Sequence, residues 1–176
     1  MESVRLLLAL AAQEGWRVHH MDVKSAFLNG DLKEEVYVHQ PPGFVIPGKE
    51  GKVLRLRKAL YGLRQAPRAW NAKLDSTMKG MGFEQSPHEA AIYWWGSGRK
   101  ALLLSVYVDD LVITGTEEVE IEAFKEKMRA TFQMSDLGPL SFYLGIEVHQ
   151  DSSGTSLCQT AYAKRIVELG GLTGCN

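Results

Sequence analysis

Two adjacent carboxylates, Asp109 and Asp110, interrupt an otherwise apolar stretch of the chain. The flanking segments, residues 102–108 and 111–114, are almost wholly hydrophobic and predict two strands. A two-residue turn between strands favours Asn-Gly or Asp-Gly, because its residues need positive φ, so Asp-Asp is a poor turn sequence. Adjacent carboxylates also repel each other unless a cation is present, and Mg²⁺ prefers carboxylate oxygens. The pair therefore predicts a metal site more strongly than an ordinary polar turn.

A third carboxylate, Asp22, ends another apolar strand and is followed by a turn or short helix. Taken alone, Asp22 is best interpreted as a residue that caps this turn. Beside Asp109 on a neighbouring strand, it would complete a carboxylate set for two metal ions. Neighbouring side chains of an extended segment point to opposite faces, so we predict Asp109 as the main ligand and Asp110 as an auxiliary one.

Helical and extended patterns alternate irregularly along the chain, which predicts an α+β fold. Trp70 belongs to an apolar helical stripe and is interpreted as a core aromatic. We expect Ser3 to cap the first helix. Helices are predicted near 3–14, 67–81, 118–132 and 161–169, and strands near 16–22, 35–39, 53–57, 91–95, 101–108, 111–114, 142–149 and 155–159.

The charge is balanced overall but segregated locally. Lys plus Arg total 20 and Asp plus Glu total 21, a net charge of −1 that by itself argues against a nucleic-acid-binding protein. Seven basic residues lie within 49–68 against the single acid Glu50, which predicts either a basic groove or a solvated face. Cys158 and Cys175 form no disulfide framework, and no His–Cys spacing predicts a zinc site. The apolar runs are too short to span a bilayer, and we expect an intracellular protein.

Four ordered blocks of sequence resemble the reverse transcriptase domain of Ty1/copia-type LTR retrotransposons. A lone Tyr-Val-Asp-Asp would be a moderate signal, whereas four blocks in the family's order are a specific one. The resemblance covers nearly the whole chain. The blocks are 22–32 with 35–38 and 40–44, then 60–70, then 107–110, and finally 142–146 preceded by 136–138.

This resemblance implies a polymerase palm, a ferredoxin-like antiparallel sheet packed on helices, with partial fingers at about residues 30–70. It implies one domain over residues 1–176, with the thumb, RNase H, integrase and protease outside it. Asp22, Asp109 and Asp110 would be the catalytic acids and would hold two Mg²⁺ ions, with Mn²⁺ as the alternative. The Val23 carbonyl would be a further, backbone ligand.

The resemblance also implies contacts with substrates. Phe27 would be the gate that crowds a ribose 2′-hydroxyl, and Leu144 with Gly145 would form the primer-grip turn. The implied dNTP-binding residues are Phe27, Tyr61, Gly62, Arg64 and Gln65. The implied nucleic-acid-binding residues are Lys52, Arg55, Arg57, Lys58, Arg68, Tyr107, Leu144 and Gly145.

We therefore expect an RNA-directed DNA polymerase that transfers dNTPs onto a primer 3′-hydroxyl. Its expected partners are a primed RNA or DNA template, dNTPs and other parts of a Gag-Pol polyprotein, with no membrane. The sequence does not distinguish a cytoplasmic particle from the nucleus as the location of the protein. The alternative is a truncated, inactive remnant that at most binds nucleic acid. A nuclease using the same acids is weaker, because it leaves Phe27 without a role.

Overall fold

The computed structural model describes residues 2–174, which form a mixed α+β fold around a six-stranded sheet. Every neighbouring pair in this sheet is antiparallel, in the order β4-β5-β6-β7-β1-β8. The strands are β1 (Val18–Val23), β4 (Glu84–Gln85), β5 (Ile92–Ser97), β6 (Lys100–Tyr107), β7 (Asp110–Gly115) and β8 (Met134–Pro139). The α+β class predicted from the sequence is confirmed.

Two smaller antiparallel sheets accompany the central one. The first contains β9 (Phe142–Tyr143), β10 (Ile146–Asp151) and β11 (Gly154–Cys158), and the second contains β2 (Tyr37–His39) and β3 (Val53–Arg55). The helices are α1 (Glu2–Glu14), α2 (Ala66–Gly80), α3 (Glu118–Thr131) and α4 (Thr160–Leu169), with a 3₁₀ turn at Ala26–Asn29. None of the described helices is long and apolar enough to cross a membrane.

The central sheet is covered on both faces, and β7 is accordingly apolar at consecutive positions. Leu111 and Ile113 point to one face, where they pack with the apolar stripes of α2 and α3. Val112 points to the other face, towards α1 and the sheet formed by β9–β11. Strands covered on both sides read as continuous hydrophobic runs, which explains the sequence that flanks the acidic pair.

Several local predictions were wrong. The predicted strand 142–149 is broken at Leu144 and Gly145, whose φ values of 46° and 86° make a tight turn of the type I′ kind. Ser3 lies inside α1 and its hydroxyl donates a hydrogen bond to Glu89 rather than capping the helix. Strand β8 was not predicted, because Gly138 and Pro139 are turn residues that only an irregular edge strand accepts.

Candidate active site and metal centre

The acidic pair lies at the tip of the β6–β7 hairpin, but the turn is displaced by one residue from its predicted position. Tyr107 pairs with Asp110, so the two turn residues are Val108 and Asp109. Of these, Val108 has a positive φ of 55° and Asp109 does not, which is the pattern of a type II′ turn. A β-branched residue in this conformation is strained; strain of this kind costs about 1–3 kcal/mol and persists only where the surrounding structure enforces it.

Asp22 and Asp110 lie directly opposite each other on neighbouring strands, β1 and β7. Directly opposed side chains of an antiparallel pair project to the same face, so these two carboxylates share one face of the sheet. Asp109 adjoins them at the hairpin tip, and its carbonyl accepts a hydrogen bond from the Val23 amide, with an N–O distance of 2.8 Å. The structure therefore brings the three aspartates of the sequence prediction together at one end of the central sheet.

The three carboxylates influence one another electrostatically. Burial raises the pKa of Asp22, the charges of Asp109 and Asp110 raise it further, and His20 and Lys24 lower it by less. The aspartates are spread more widely than a single-ion cage, since they are not among the sets of described residues whose ligand atoms all lie within 4.8 Å of one another.

Trp70, interpreted from the sequence as a core aromatic, is buried in the core and also supports the hairpin tip. Its indole N–H donates a hydrogen bond of 2.6 Å to the carbonyl of Val108, the strained turn residue. The Trp70 ring meets Phe132 edge-to-face, with ring centroids 5.2 Å apart. Helix α2 thus fixes the backbone immediately before Asp109, a role that no sequence pattern had indicated.

His20 is a second residue that the sequence prediction missed. Its Nε2 lies 2.6 Å from Oδ1 of Asp110, and its ring meets that of Tyr143 edge-on, with centroids 5.9 Å apart. The Tyr143 hydroxyl is buried without a hydrogen-bond partner. Burial, and the charges of Asp110 and Tyr107, raise the pKa of Tyr143. Strand alternation contained a signal for His20, because residues 20 and 22 of an extended segment share a face.

Of the predicted nucleotide-binding residues, Phe27 and Tyr61 are in contact, with ring centroids 4.7 Å apart. Phe27 is half-buried within the 3₁₀ turn that follows Asp22, and Tyr61 is exposed. Gly62 has a φ of 90° and open space around its missing Cβ. Arg64 is exposed, and Gln65 is half-buried at the start of α2. Their assignment to dNTP binding stays a prediction.

The predicted nucleic-acid-binding residues are solvent-accessible. Arg55 is exposed on β3 and forms an ion pair of 3.0 Å with Glu35. Lys58 makes an isolated β-bridge to Asp31. The other exposed members of this set are Lys52, Arg57, Arg68, Tyr107, Leu144 and Gly145. Exposure is compatible with binding, and these assignments also stay predictions.

The structure also gathers Glu147, His149 and Cys158, whose ligand atoms lie within 4.8 Å of one another although the sequence shows no metal-ligand spacing there. Glu147 is already occupied, because its carboxylate accepts hydrogen bonds from the Ala161 amide at 2.9 Å and the Cys158 thiol at 3.4 Å. The Ala161 bond, at the start of α4, lowers the pKa of Glu147. This cluster therefore links α4 to the β10–β11 hairpin.

A buried lysine connects α3 to β1. Lys125 donates to Nδ1 of His19 at 2.9 Å and to Glu122 at 2.7 Å, and lies 3.4 Å from Asp136. A nitrogen that accepts from an ammonium cannot carry the ring proton, so the neutral imidazole has its proton on Nε2. That Nε2 lies 3.1 Å from a Glu118 oxygen but is not aligned for a hydrogen bond. The geometry is that of an ion-pair network rather than of a metal site.

Comparison with known proteins identifies the family. The model of the family "Reverse transcriptase (RNA-dependent DNA polymerase)" matches residues 1–176. The chain belongs to this reverse transcriptase family. The domain is 39% identical over 171 residues to the Retrovirus-related Pol polyprotein from transposon TNT 1-94 of Nicotiana tabacum, which covers 96% of this chain and 13% of that protein.

Two further relatives place this reverse transcriptase domain among copia-type retrotransposon sequences. It is 38% identical over 160 residues to the Retrovirus-related Pol polyprotein from transposon RE2 of Arabidopsis thaliana, covering 91% of the chain and 11% of the relative. It is 37% identical over 134 residues to a putative transposon Ty5-1 protein of Saccharomyces cerevisiae, covering 76% of the chain and 44% of the relative. The reverse transcriptase domain thus spans less than half the length of each of these relatives.

Proposed function

We propose that this chain carries the catalytic centre of an RNA-directed DNA polymerase, which transfers nucleotides from dNTPs to a primer 3′-hydroxyl with two divalent metal ions. The observation that supports this most directly is the pairing of Asp22 opposite Asp110, with Asp109 at the adjoining strained tip. A folding argument alone does not select two directly opposed carboxylates with a third beside them, because like charges opposite each other destabilise a sheet.

The residues present fit Mg²⁺ or Mn²⁺. Both are hard ions that take carboxylate and carbonyl oxygens. Burial, and then the charges of Asp109 and Asp110, raise the pKa of Asp22, so a cation at this place would offset both effects. Asp22, Asp109 and Asp110 would hold the ions, with the Val23 carbonyl as a backbone ligand. When bound, the ions would activate the primer hydroxyl and stabilise the leaving pyrophosphate.

The chain's own residues would position the substrates. Phe27 follows Asp22 by one short turn and its ring contacts that of Tyr61. In this proposal the supported ring of Phe27 would crowd a ribose 2′-hydroxyl. The Leu144–Gly145 turn is exposed and follows Tyr143, whose ring contacts His20, the residue that is hydrogen-bonded to Asp110. This arrangement agrees with a primer-grip role for the turn.

In this proposal the six-stranded sheet with α2 and α3 is the palm, and residues of about 30–70 belong to the fingers. Strands β2 and β3 form a separate exposed ribbon within that segment, which supports assigning it to a different subdomain. Its exposed basic residues would contact the phosphates of the template or primer, and other parts of a Gag-Pol polyprotein would complete the binding cleft.

Primer extension on poly(rA)·oligo(dT), with Mg²⁺ or Mn²⁺, tests the proposal. We expect incorporation of dTTP by the wild-type chain and its loss in Asp109→Asn. Asp151→Asn makes the same chemical change at the exposed end of β10 and should retain activity. Incorporation that persists in Asp109→Asn would contradict the assigned centre. Incorporation by no variant under either metal would favour the inactive remnant.

A further inference from the structure

His20 contacts the candidate metal centre from a mostly buried position. Its side chain is only 12% exposed, and that of Asp110 is 24% exposed. The 2.6 Å contact between them is short for a hydrogen bond between nitrogen and oxygen. An ionised carboxylate can only accept, so the imidazole Nε2–H must be the donor.

We propose that His20 is a positioning residue, which orients the Asp110 carboxylate for divalent-cation binding through this hydrogen bond. The bond engages Oδ1 of Asp110 and leaves Oδ2 free of it. A carboxylate held at one oxygen loses rotational freedom before a cation binds, so less entropy is lost on binding. This inference rests on the proposed function, because it concerns the same carboxylates.

The imidazole is itself held in place by its surroundings. Its ring meets the buried ring of Tyr143 edge-on, and Tyr143 immediately precedes the exposed Leu144–Gly145 turn. On the sheet, His20 is paired with the fully buried Val112. A side chain confined by a strand, a core residue and an aromatic ring presents its N–H in one direction, as an orienting group requires.

The contact also connects two parts of the fold. Tyr143 lies on β9, whereas Asp110 begins β7 of the central sheet. His20 lies between them and touches both, so the orientation of Asp110 depends on how the small β9–β11 sheet packs.

Mn²⁺ binding to the full chain tests the inference without requiring polymerase activity. Electron paramagnetic resonance measures free Mn²⁺ directly, because the signal broadens on binding. We expect His20→Ala to raise the dissociation constant about 10- to 100-fold, the usual effect of removing a group that orients a ligand. His20→Gln retains an N–H donor and should restore most of the affinity. His88→Ala, at an exposed histidine, is the matched control.

A second variant separates orientation from folding. His20→Phe keeps a ring against Tyr143 but has no hydrogen-bond donor. It should therefore fold with a wild-type melting temperature and bind Mn²⁺ as weakly as His20→Ala does. Wild-type affinity in both His20→Phe and His20→Ala, with binding lost in Asp109→Asn, would overturn the positioning role and leave the proposed centre intact. Binding that is unchanged in Asp109→Asn as well would overturn both.

Discussion

The buried ion-pair network around Lys125 allows a quantitative test of how α3 is held against β1. The Lys125 side chain is only 2% exposed, and its three polar partners differ in their access to water. Substitution of Lys125 by Met keeps the length of the side chain and removes its charge and its N–H donors. We expect this change to destabilise the domain, mainly because a buried polar partner of Lys125 is left without a hydrogen bond.

The loss in free energy of unfolding depends on whether each polar partner of Lys125 finds another hydrogen bond. Glu122 is about half exposed and recovers water, and Asp136 keeps hydrogen bonds from Arg129 at 2.8 Å and from the Gly138 amide at 2.9 Å. His19 is 95% buried, and its Nδ1 would lose its donor. A buried polar atom left without a partner costs about 1–3 kcal/mol. For a chain of this length, that corresponds to a fall in melting temperature of about 2–4 °C per kcal/mol.

Urea unfolding monitored by circular dichroism measures the loss in free energy of unfolding, and a double-mutant cycle with His19→Phe identifies its source. Because replacing both partners by apolar groups can be nearly neutral, the double variant should be more stable than Lys125→Met alone. Equal stability of wild type and Lys125→Met, or additive losses in the double variant, would refute the reasoning. Lys127→Met, an exposed neighbour on the same helix, is the control.

The same network predicts a pH dependence. Burial raises the pKa of Asp136, but the Gly138 amide, Lys125 and Arg129 together outweigh this effect and hold that pKa below its ordinary value of 3.8. A lowered folded-state pKa contributes stability that is present above the unfolded-state value and is lost as pH falls through the folded-state value. The stability difference between wild type and Lys125→Met should therefore narrow below about pH 4, which acid titrations of both proteins would measure.

Three further predictions concern the candidate active site. Phe27→Ala should admit ribonucleotides, because it removes the ring that would crowd the 2′-hydroxyl, and unchanged discrimination between dNTPs and rNTPs in primer extension would contradict the gate assignment. Charge reversal at Arg55 and Arg57 should weaken template binding and flatten its salt dependence by about one unit of slope per lost phosphate contact, whereas an unaltered slope in filter-binding titrations would place them outside the groove. Asp22→Asn should stabilise the metal-free chain at pH 7 by about 0.2–1 kcal/mol, because it removes a charge opposite Asp110. The raised pKa of Asp22 means that the folded state favours the protonated carboxyl, so the chain loses stability as pH rises through the folded-state pKa. Melting curves in EDTA should therefore show a gain in stability for Asp22→Asn at pH 7 that vanishes near pH 3.

Much of the architecture was readable from the chain. The stripe of Trp70, Leu74 and Met78 predicted α2 almost to its observed ends, because residues three and four apart share a helix face. The helix at Glu118–Thr131 followed from the same periodicity. The bounds of β2 and β3 were less accurate, since that short ribbon is mostly exposed and no buried face fixes where its strands end.

The position of the acidic turn could not be read in the same way. Moving the turn from Asp109–Asp110 to Val108–Asp109 shifts each cross-strand pair by two residues, which leaves every side chain on its original face. Hydrophobic alternation therefore fits both registers equally. What distinguishes the observed one is tertiary, namely the hydrogen bonds from Trp70 to the Val108 carbonyl and from the Val23 amide to the Asp109 carbonyl.

The sequence by itself indicated which carboxylates are placed at strand ends, which segments are buried, and to which family the ordered blocks are similar. The tertiary structure alone decided that Asp22 faces Asp110, that Trp70 holds the hairpin tip and that His20 contacts Asp110. The reason is that residue type and periodicity are local properties, whereas cross-strand register and contacts between residues 90 positions apart, as for His20 and Asp110, depend on how the whole sheet packs.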